Sequence, residues 1–461
     1  MSTRLAPAHL PLVAARPAYD RDQRAIGIVH FGLGAFTRAH QAWYTDRAMD
    51  TAGGDWMIVG VSMRSPDVGA QLNPQGGLYT LAQRSAEGVE LRLIGSVAQV
   101  LQAGEDTGAI VEHLAAPTTH IVSFTVTEKG YCRGADGSLD PAMAERGFYP
   151  LLAAGLERRK SAGLGGLTLM SCDNLADNGH QLRALLRSYL GETDPALLDW
   201  FEHHCTTPCT MVDRIVPATT QEDRAALEAM TGLRDEGAVV TEPFSQWVIE
   251  DAFAGPRPAW EAVGAQIVSD VAPYETAKLR MLNGAHSALA YLGLARGHAH
   301  VHEAVADPVL RACVSRLMSE EAAPTIHAGP DQDLAAYAAA LLERFANPAL
   351  NHRLIQIAMD GSQKISQRWL ATLAHAQGRQ CPAILTAIGA WLAHLRGENI
   401  AAWGTVDDPR ADELTALVQN SQAEEQINAI FGEGGPMASA WQPSSADRAL
   451  IMAWKGHQPV P

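Results

Sequence analysis

Residues 27–40 read Gly-Ile-Val-His-Phe-Gly-Leu-Gly-Ala-Phe-Thr-Arg-Ala-His, and the fold turns on them. Gly27 to Phe31 is a short β-branched run, and an amphipathic pattern follows His40 to about Asp50. Strand, glycine turn and helix in succession suit a dinucleotide-binding unit. Gly32 would make the tight turn, and Gly34, with no side chain, would let the backbone approach a pyrophosphate. Ala35, Phe36 and Arg38 complete the expected cofactor segment, where a helix N-terminus offers free amides. The third fingerprint position holds Thr37 instead of glycine. On these residues alone, an ordinary strand-to-helix turn remains open.

The chain on either side decides for the nucleotide reading. A second strand, Trp56 to Val61, ends in Ser62-Met-Arg64-Ser-Pro-Asp67. An acid after the second strand takes ribose hydroxyls and repels a 2′-phosphate, so Asp67 favours NAD, while Arg64 keeps NADP possible. Residues 79–101 alternate like paired strands around a turn at Ser85 to Gly88. The strand His120 to Thr125 leads into Val126-Thr-Glu128-Lys129-Gly-Tyr131, and Leu167 to Met170 leads into Ser171-Cys-Asp-Asn174. Open α/β sheets hold ligands at such carboxyl ends. Beyond Ala295 the pattern is nearly all helical, with helices expected at Ala304 to Met318, Leu334 to Phe345, Asn351 to Met359, Ile384 to Arg396 and Ala423 to Phe431. The expected fold is an α/β Rossmann-type N-terminal domain, residues 1–272, followed by a mostly α-helical substrate and catalytic domain, residues 273–461.

Between them lies Tyr274 to Tyr291, YETAKLRMLNGAHSALAY, a helix by its apolar spacing, with Pro273 at its start and Gly293 as its expected stop. At a step of roughly 100° per residue, Glu275, His286 and Asn283 fall roughly 60°, 80° and 140° from Lys278. A carboxylate, an imidazole, an amide and an amine share one arc. Spacing alone allows either a lysine–glutamate pair beside a core histidine or a catalytic face with a lysine whose proton affinity falls on burial.

A formal net charge of −16 argues against nucleic acid and anionic membranes as partners. An anionic substrate would need a local positive pocket. Six cysteines without paired spacing fit a reducing compartment. No apolar stretch is long enough to span a bilayer, and the first 25 residues hold no signal-peptide core, so the expected location is cytoplasmic. His298-x-His300-x-His302 lacks a matching ligand cluster, and Cys205-x3-Cys209 lacks a second pair, so no metal is expected and both cysteines read as structural. Cys172 has no adjacent activating histidine.

Six motifs occur in order: Gly32-Leu-Gly-Ala-Phe-Thr-Arg-Ala-His-Gln41, Thr125-Val-Thr-Glu-Lys-Gly-Tyr131, Ser171-Cys-Asp-Asn174, Thr210-Met-Val-Asp-Arg-Ile-Val-Pro217, Glu242-Pro-Phe-Ser-Gln-Trp247 and Lys278-x4-Asn283-x2-His286. Together they resemble the mannitol dehydrogenase family, the polyol-specific long-chain dehydrogenases, across residues 25–435. The resemblance implies NAD(P) and no metal. It places Lys278 on the general base, Asn174 and Asn283 on the carbonyl-oxygen holders, and Glu275 on the acid beside the base. His286, Asp213 and Lys364 fall on substrate contacts. Glu128 and Asn174 fall beside the nicotinamide.

Within the family, Lys129 stands where polyol enzymes carry glycine, and Gln356 stands where they carry arginine. With Lys278-Leu-Arg280 and Gln356-Ile-Ala-Met-Asp-Gly-Ser-Gln-Lys364, these residues look like the fructuronate reductase (D-mannonate oxidoreductase) branch. A hexuronate carries a carboxylate that a polyol lacks, and Lys129 or Arg280 is the expected partner for it. The expected ligand is thus a small sugar acid, with a sugar alcohol of the mannitol or arabinitol type as the alternative. The rivals are a lysine-base dehydrogenase of the 6-phosphogluconate or β-hydroxyacid type, and an NAD-binding regulator without catalysis. The expected state is a monomer or small homo-oligomer.

Overall fold

The computed structural model describes residues 3–454 except 12, 14, 135 and 420–422. The chain forms two compact units, Met1–Val271 and Ala272–Pro461. The first carries all the strands: β1 Ile26–Phe31, β2 Met57–Ser62, β3 Tyr79–Ser85, β4 Gly88–Ile94, β5 Val97–Gln102, β6 Ile121–Phe124, β7 Thr168–Ser171, β8 Thr210–Asp213, β9 Val239–Thr241, β10 Gln246–Glu250 and β11 Gln266–Val268.

Five of these make one parallel sheet in the order β5-β2-β1-β6-β7. Chain order reverses between β1 and β6, which opens the crevice where doubly wound sheets take their ligands. Strands β1, β2, β6 and β7 are buried on both faces, whereas the edge strand β5 is only partly so. Two smaller sheets, β11-β10-β8 and β4-β3-β9, complete the unit. In the first of them β8 runs antiparallel to β10, with Asp213 opposite Gln246.

Thr37 fits where the fingerprint would place glycine because it has a different task. Its hydroxyl lies 2.9 Å from His30 Nε2 on β1 and 2.6 Å from the Thr125 hydroxyl after β6. His30 also meets Ser123 at 2.8 Å, and complete burial drives its pKa down to about 3, so the imidazole is neutral. The helix start is tied to the two central strands by hydrogen bonds instead of by close backbone packing.

The second unit is helical around one large apolar core. Its central rod continues to Ala295, past the expected stop at Gly293. Gly293 serves packing here, since a Cβ at that position would meet Leu354 Cδ1 at 2.6 Å and Ala304 Cβ at 3.0 Å. The rod is also not one uniform α-helix. Ala272–Ala277 is α, Lys278–Asn283 is a π turn, and Gly284–Ala295 is α again. The Gly284 amide donates to the Leu279 carbonyl, five residues back. Two further π turns, Leu317–Ala322 and Ser366–Leu370, pack against the first. From Ser366–Leu370, the Trp369 indole donates to the Gly284 carbonyl at 3.0 Å and Arg368 donates to Ser287 Oγ at 2.7 Å. Helices Leu334–Phe345 and Ala423–Phe431 have the expected bounds, whereas Ala304 to Met318 divides into Val301–Ala306 and Pro308–Arg316. Pro308 opens the second piece, with the Asp307 carboxylate accepting the Val309 amide. No helix among the described residues is long and apolar enough to cross a membrane.

Candidate active site

In the first unit a cavity of about 450 Å³ opens at the carboxyl ends of β1, β2 and β6. Gly32, Leu33, Arg64, Thr125, Lys129 and Arg146 are among its lining residues. Gly32 has φ +89°, and a Cβ there would fall 2.3 Å from the Thr125 carbonyl oxygen, so only glycine makes this turn. Gly34 is the reverse case: a Cβ would meet nothing nearer than Gly32 O at 3.7 Å, which leaves its face open to a ligand. Two guanidinium side chains on the wall, Arg64 and Arg146, suit a diphosphate. These features fit a dinucleotide.

Other expected cofactor residues are placed differently. Arg38 is buried and donates to Gly34 O at 3.2 Å and Gly237 O at 2.9 Å, so its donors brace the glycine turn from within. Burial lowers its pKa. Phe36 stacks on His40 at 5.2 Å, with Ala35 half-buried beside it. Asp67 is exposed at the first position of helix Asp67–Leu72, and the neighbouring Arg64 lines the cavity.

Asp173 joins two motifs that the sequence presents separately. Its carboxylate accepts the amides of Val126 at 3.0 Å and Thr127 at 3.1 Å and the Tyr131 hydroxyl at 2.9 Å. The Thr127–Gly130 turn, carrying exposed Glu128 and Lys129, is thereby pinned to the turn that carries exposed Asn174. Thr127 is held at φ +63°, a strained value for a β-branched residue. Asp213 is buried at the end of β8. Its neighbour Arg214 donates to the carbonyls of Ala39 and Glu242 and stacks 4.5 Å over Trp43, which makes that arginine a structural brace.

In the second unit Glu275, Lys278, Asn283 and His286 lie on the one continuous rod. A π turn advances less per residue than an α turn, so Asn283, and His286 with it, swings back toward Lys278, and the polar arc is narrower than a uniform helix allows. Lys278, Glu275 and Asn283 are half-buried; His286 is buried. Its ring packs on Phe345 at 4.6 Å and edge-on to His352 at 5.4 Å. Burial, then the neighbours His352, Arg344 and Arg368, push its pKa well below the ordinary histidine value, so it is a neutral imidazole. Lys364 donates to Ile357 O at 3.3 Å and Met359 O at 2.5 Å, with Asp360 at 3.9 Å. Arg280 differs from its expected place: its guanidinium bonds Thr325 O and Oγ1, both at 2.8 Å, and approaches His375 at 3.4 Å. His352, Arg344 and Arg368 come from separate segments, and no spacing in the sequence announces their convergence.

The chain belongs to the mannitol dehydrogenase family. Residues 26–262 match the mannitol dehydrogenase Rossmann domain and residues 270–435 match the mannitol dehydrogenase C-terminal domain. It is therefore an oxidoreductase acting on CH–OH groups through an NAD-binding Rossmann domain. Among relatives, it is 42% identical to the Escherichia coli (strain K12) oxidoreductase YeiQ, over 95% of this chain and 96% of that one. It is 40% identical to D-mannonate oxidoreductase of the same organism, over 96% of this chain and 95% of that one. The structure resembles Pseudomonas fluorescens mannitol 2-dehydrogenase, solved as a ternary complex with NAD and D-mannitol. The TM-score is 0.78 at 36% identity, covering 98% of this chain and 96% of that one.

Proposed function

We propose that the protein interconverts a secondary alcohol and a ketone on a sugar acid of the D-fructuronate/D-mannonate type, with NAD as cofactor. The observation that carries the choice of substrate is the positive surrounding of His286. In a chain of net charge −16, the guanidiniums of Arg344 and Arg368 raise the potential at this one imidazole, as a carboxylate-bearing ligand requires, while His352, its own pKa lowered by burial, adds no charge at neutral pH. The likeness to D-mannonate oxidoreductase supports the same reading.

NAD supplies the hydride acceptor in oxidation. Neutral Lys278 removes the hydroxyl proton, and its ammonium returns that proton in reduction. The amides of Asn174 and Asn283 donate to the oxygen as negative charge develops on it. Glu275, three residues before the base, passes the proton toward water. His286, Asp213 and Lys364 hold substrate hydroxyls. Lys129 serves the carboxylate, and Arg280, with two bonds committed to Thr325, contributes least.

Fructuronate reduction with NADH is expected to far outrun mannitol or arabinitol oxidation when each is measured at its favourable pH. Lys129→Gly should raise the KM for fructuronate by roughly one to two decades, the loss of one charge-assisted bond of about 1.5–3 kcal/mol, and leave fructose reduction nearly unchanged. Preference of the unmodified enzyme for mannitol would return the assignment to a polyol.

Cofactor choice is testable separately. Asp67 should repel a 2′-phosphate, so NAD(H) is preferred and Asp67→Ala should raise NADP(H) use several-fold. Equal use of both cofactors by the unmodified protein would mean that Arg64, which lines the cavity, decides instead.

A further inference from the structure

Outside the machinery described above, three side chains of metal-binding type converge on one point in the first unit. Asp177 Oδ1 lies 2.6 Å from His180 Nδ1, and Cys209 Sγ lies 3.6 Å from that oxygen and 3.8 Å from that nitrogen. Their potential ligand atoms all fall within 4.8 Å of one another. Among the described residues the His298–His302 run makes no comparable cluster, because His300 meets Glu303 and His298 meets Asp307.

The backbone explains the meeting. Asp177 adopts a left-handed conformation, φ +56°, immediately before the helix Asn178–Thr193. In the first turn of that helix, a Cβ on Gly179 would lie 2.4 Å from Thr207 O and 2.7 Å from Cys209 N. Segment 207–209 therefore rests directly on the helix start, and Cys209 enters β8 with its sulfur against Asp177 and His180. The Asn178 side chain fastens the same junction, donating to Thr210 O at 2.8 Å and accepting the Thr210 amide at 2.9 Å.

We propose that Asp177, His180 and Cys209 bind a thiophilic divalent cation of the zinc class. Zinc bonds of about 2.0–2.3 Å in a tetrahedron place ligand atoms roughly 3.4–3.6 Å apart. The two sulfur edges, 3.6 and 3.8 Å, already match. Only the Asp177–His180 edge must open, and both side chains are more than 60% exposed. Carboxylate and thiol approach the same ring nitrogen, so the three atoms enclose one point. A proton relay would instead use the two opposite nitrogens.

Burial and the nearby carboxylates of Asp177 and Glu250 raise the Cys209 pKa to about 11. The thiol is accordingly protonated at neutral pH. On binding, its S–H bond breaks, the proton leaves to solvent, and a sulfur–metal bond forms. The hydrogen that His180 Nδ1 donates to Asp177 must also leave that nitrogen to solvent; the ring then binds through the freed Nδ1 lone pair with a proton on Nε2. No electron transfer is involved. Three protein ligands leave the fourth position to water, the arrangement of an exchangeable site instead of a closed structural one. An ion held here would join the turn that carries Asn174 to the strand that ends at Asp213.

The test is titration of the purified full chain with Co²⁺, followed by thiolate-to-metal absorption in the near ultraviolet, and with Zn²⁺ against a chromogenic chelator. One equivalent should bind with the thiolate band present. Cys209→Ser should abolish the band, and His180→Ala, a change at an exposed residue, should weaken Zn²⁺ by at least about tenfold, the loss seen even for outer partners. His203→Ala, outside the cluster, should match the parent. Absence of the band in the parent, or an unchanged band in Cys209→Ser, would overturn the site and leave an Asp177–His180 surface ion pair beside a structural cysteine. The readout needs no substrate, so its outcome is independent of the proposed sugar-acid chemistry.

Discussion

Lys278→Ala is expected to lower turnover with every substrate by about 10²–10⁴-fold, the usual share of a general acid–base group. NADH binding, followed by fluorescence, should be unchanged, because the cavity lined by Gly32 and Arg64 belongs to the other compact unit. The pH dependence separates this role from a structural one. In alcohol oxidation the neutral amine is the working form, so the parent rate should rise with pH as the lysine loses its proton. In ketone reduction the ammonium works, so the rate should fall over the same range. The Ala variant should lose both limbs. A variant that keeps a tenth of parental activity, or the parental pH profile, would remove Lys278 from the chemistry.

Asn283→Ala should cost about 10²–10³-fold in kcat with little change in KM, since a donor aimed at developing charge contributes roughly 2.7–4 kcal/mol to the transition state and little to the ground state. A large rise in KM at constant kcat would instead make Asn283 an ordinary substrate contact. Asn283 sits at the end of the π turn, where Arg368 lies 3.4 Å from its carbonyl oxygen and Trp369 donates to the next carbonyl. The backbone that aims its amide is therefore gripped from a neighbouring π turn, and the change should leave the fold intact.

The parallel sheet was legible because β1, β2 and β6 are short β-branched runs and β7 a short apolar one, each punctuated by polar turns, and Leu334–Phe345 because its amphipathic period is clean. The π turn was not legible. A periodicity argument assumes one angular step throughout, and the residues of Lys278–Asn283 are ordinary helix formers. Gly293 misled for a related reason: glycine marks both helix ends and close packing, and only the neighbours Leu354 and Ala304 tell which. Arg38 carries a cofactor motif's charge, yet the buried carbonyl of Gly237, distant in sequence, claims it. Asp173, His352 and Cys209 matter through partners 29 to 66 residues away, and one chain without its fold offers no signal for such meetings.

The π turn at Lys278–Asn283 also bears on how this chain tolerates insertions and deletions. A π turn in a helical rod is geometrically one surplus residue, absorbed by widening the coil. Removing a single residue between Lys278 and Asn283 would let the rod close into plain α-helix without breaking it. Everything after the deletion would then keep nearly its present facing relative to the lysine, because the residue removed is the surplus one that the wide turn absorbs. Such a chain would keep its core, its helix content and nearly the present register between base, amide and imidazole. A deletion in the α segments on either side has no surplus residue to give up and would rotate everything after it by roughly 100°, so those are the lengths the protein must count.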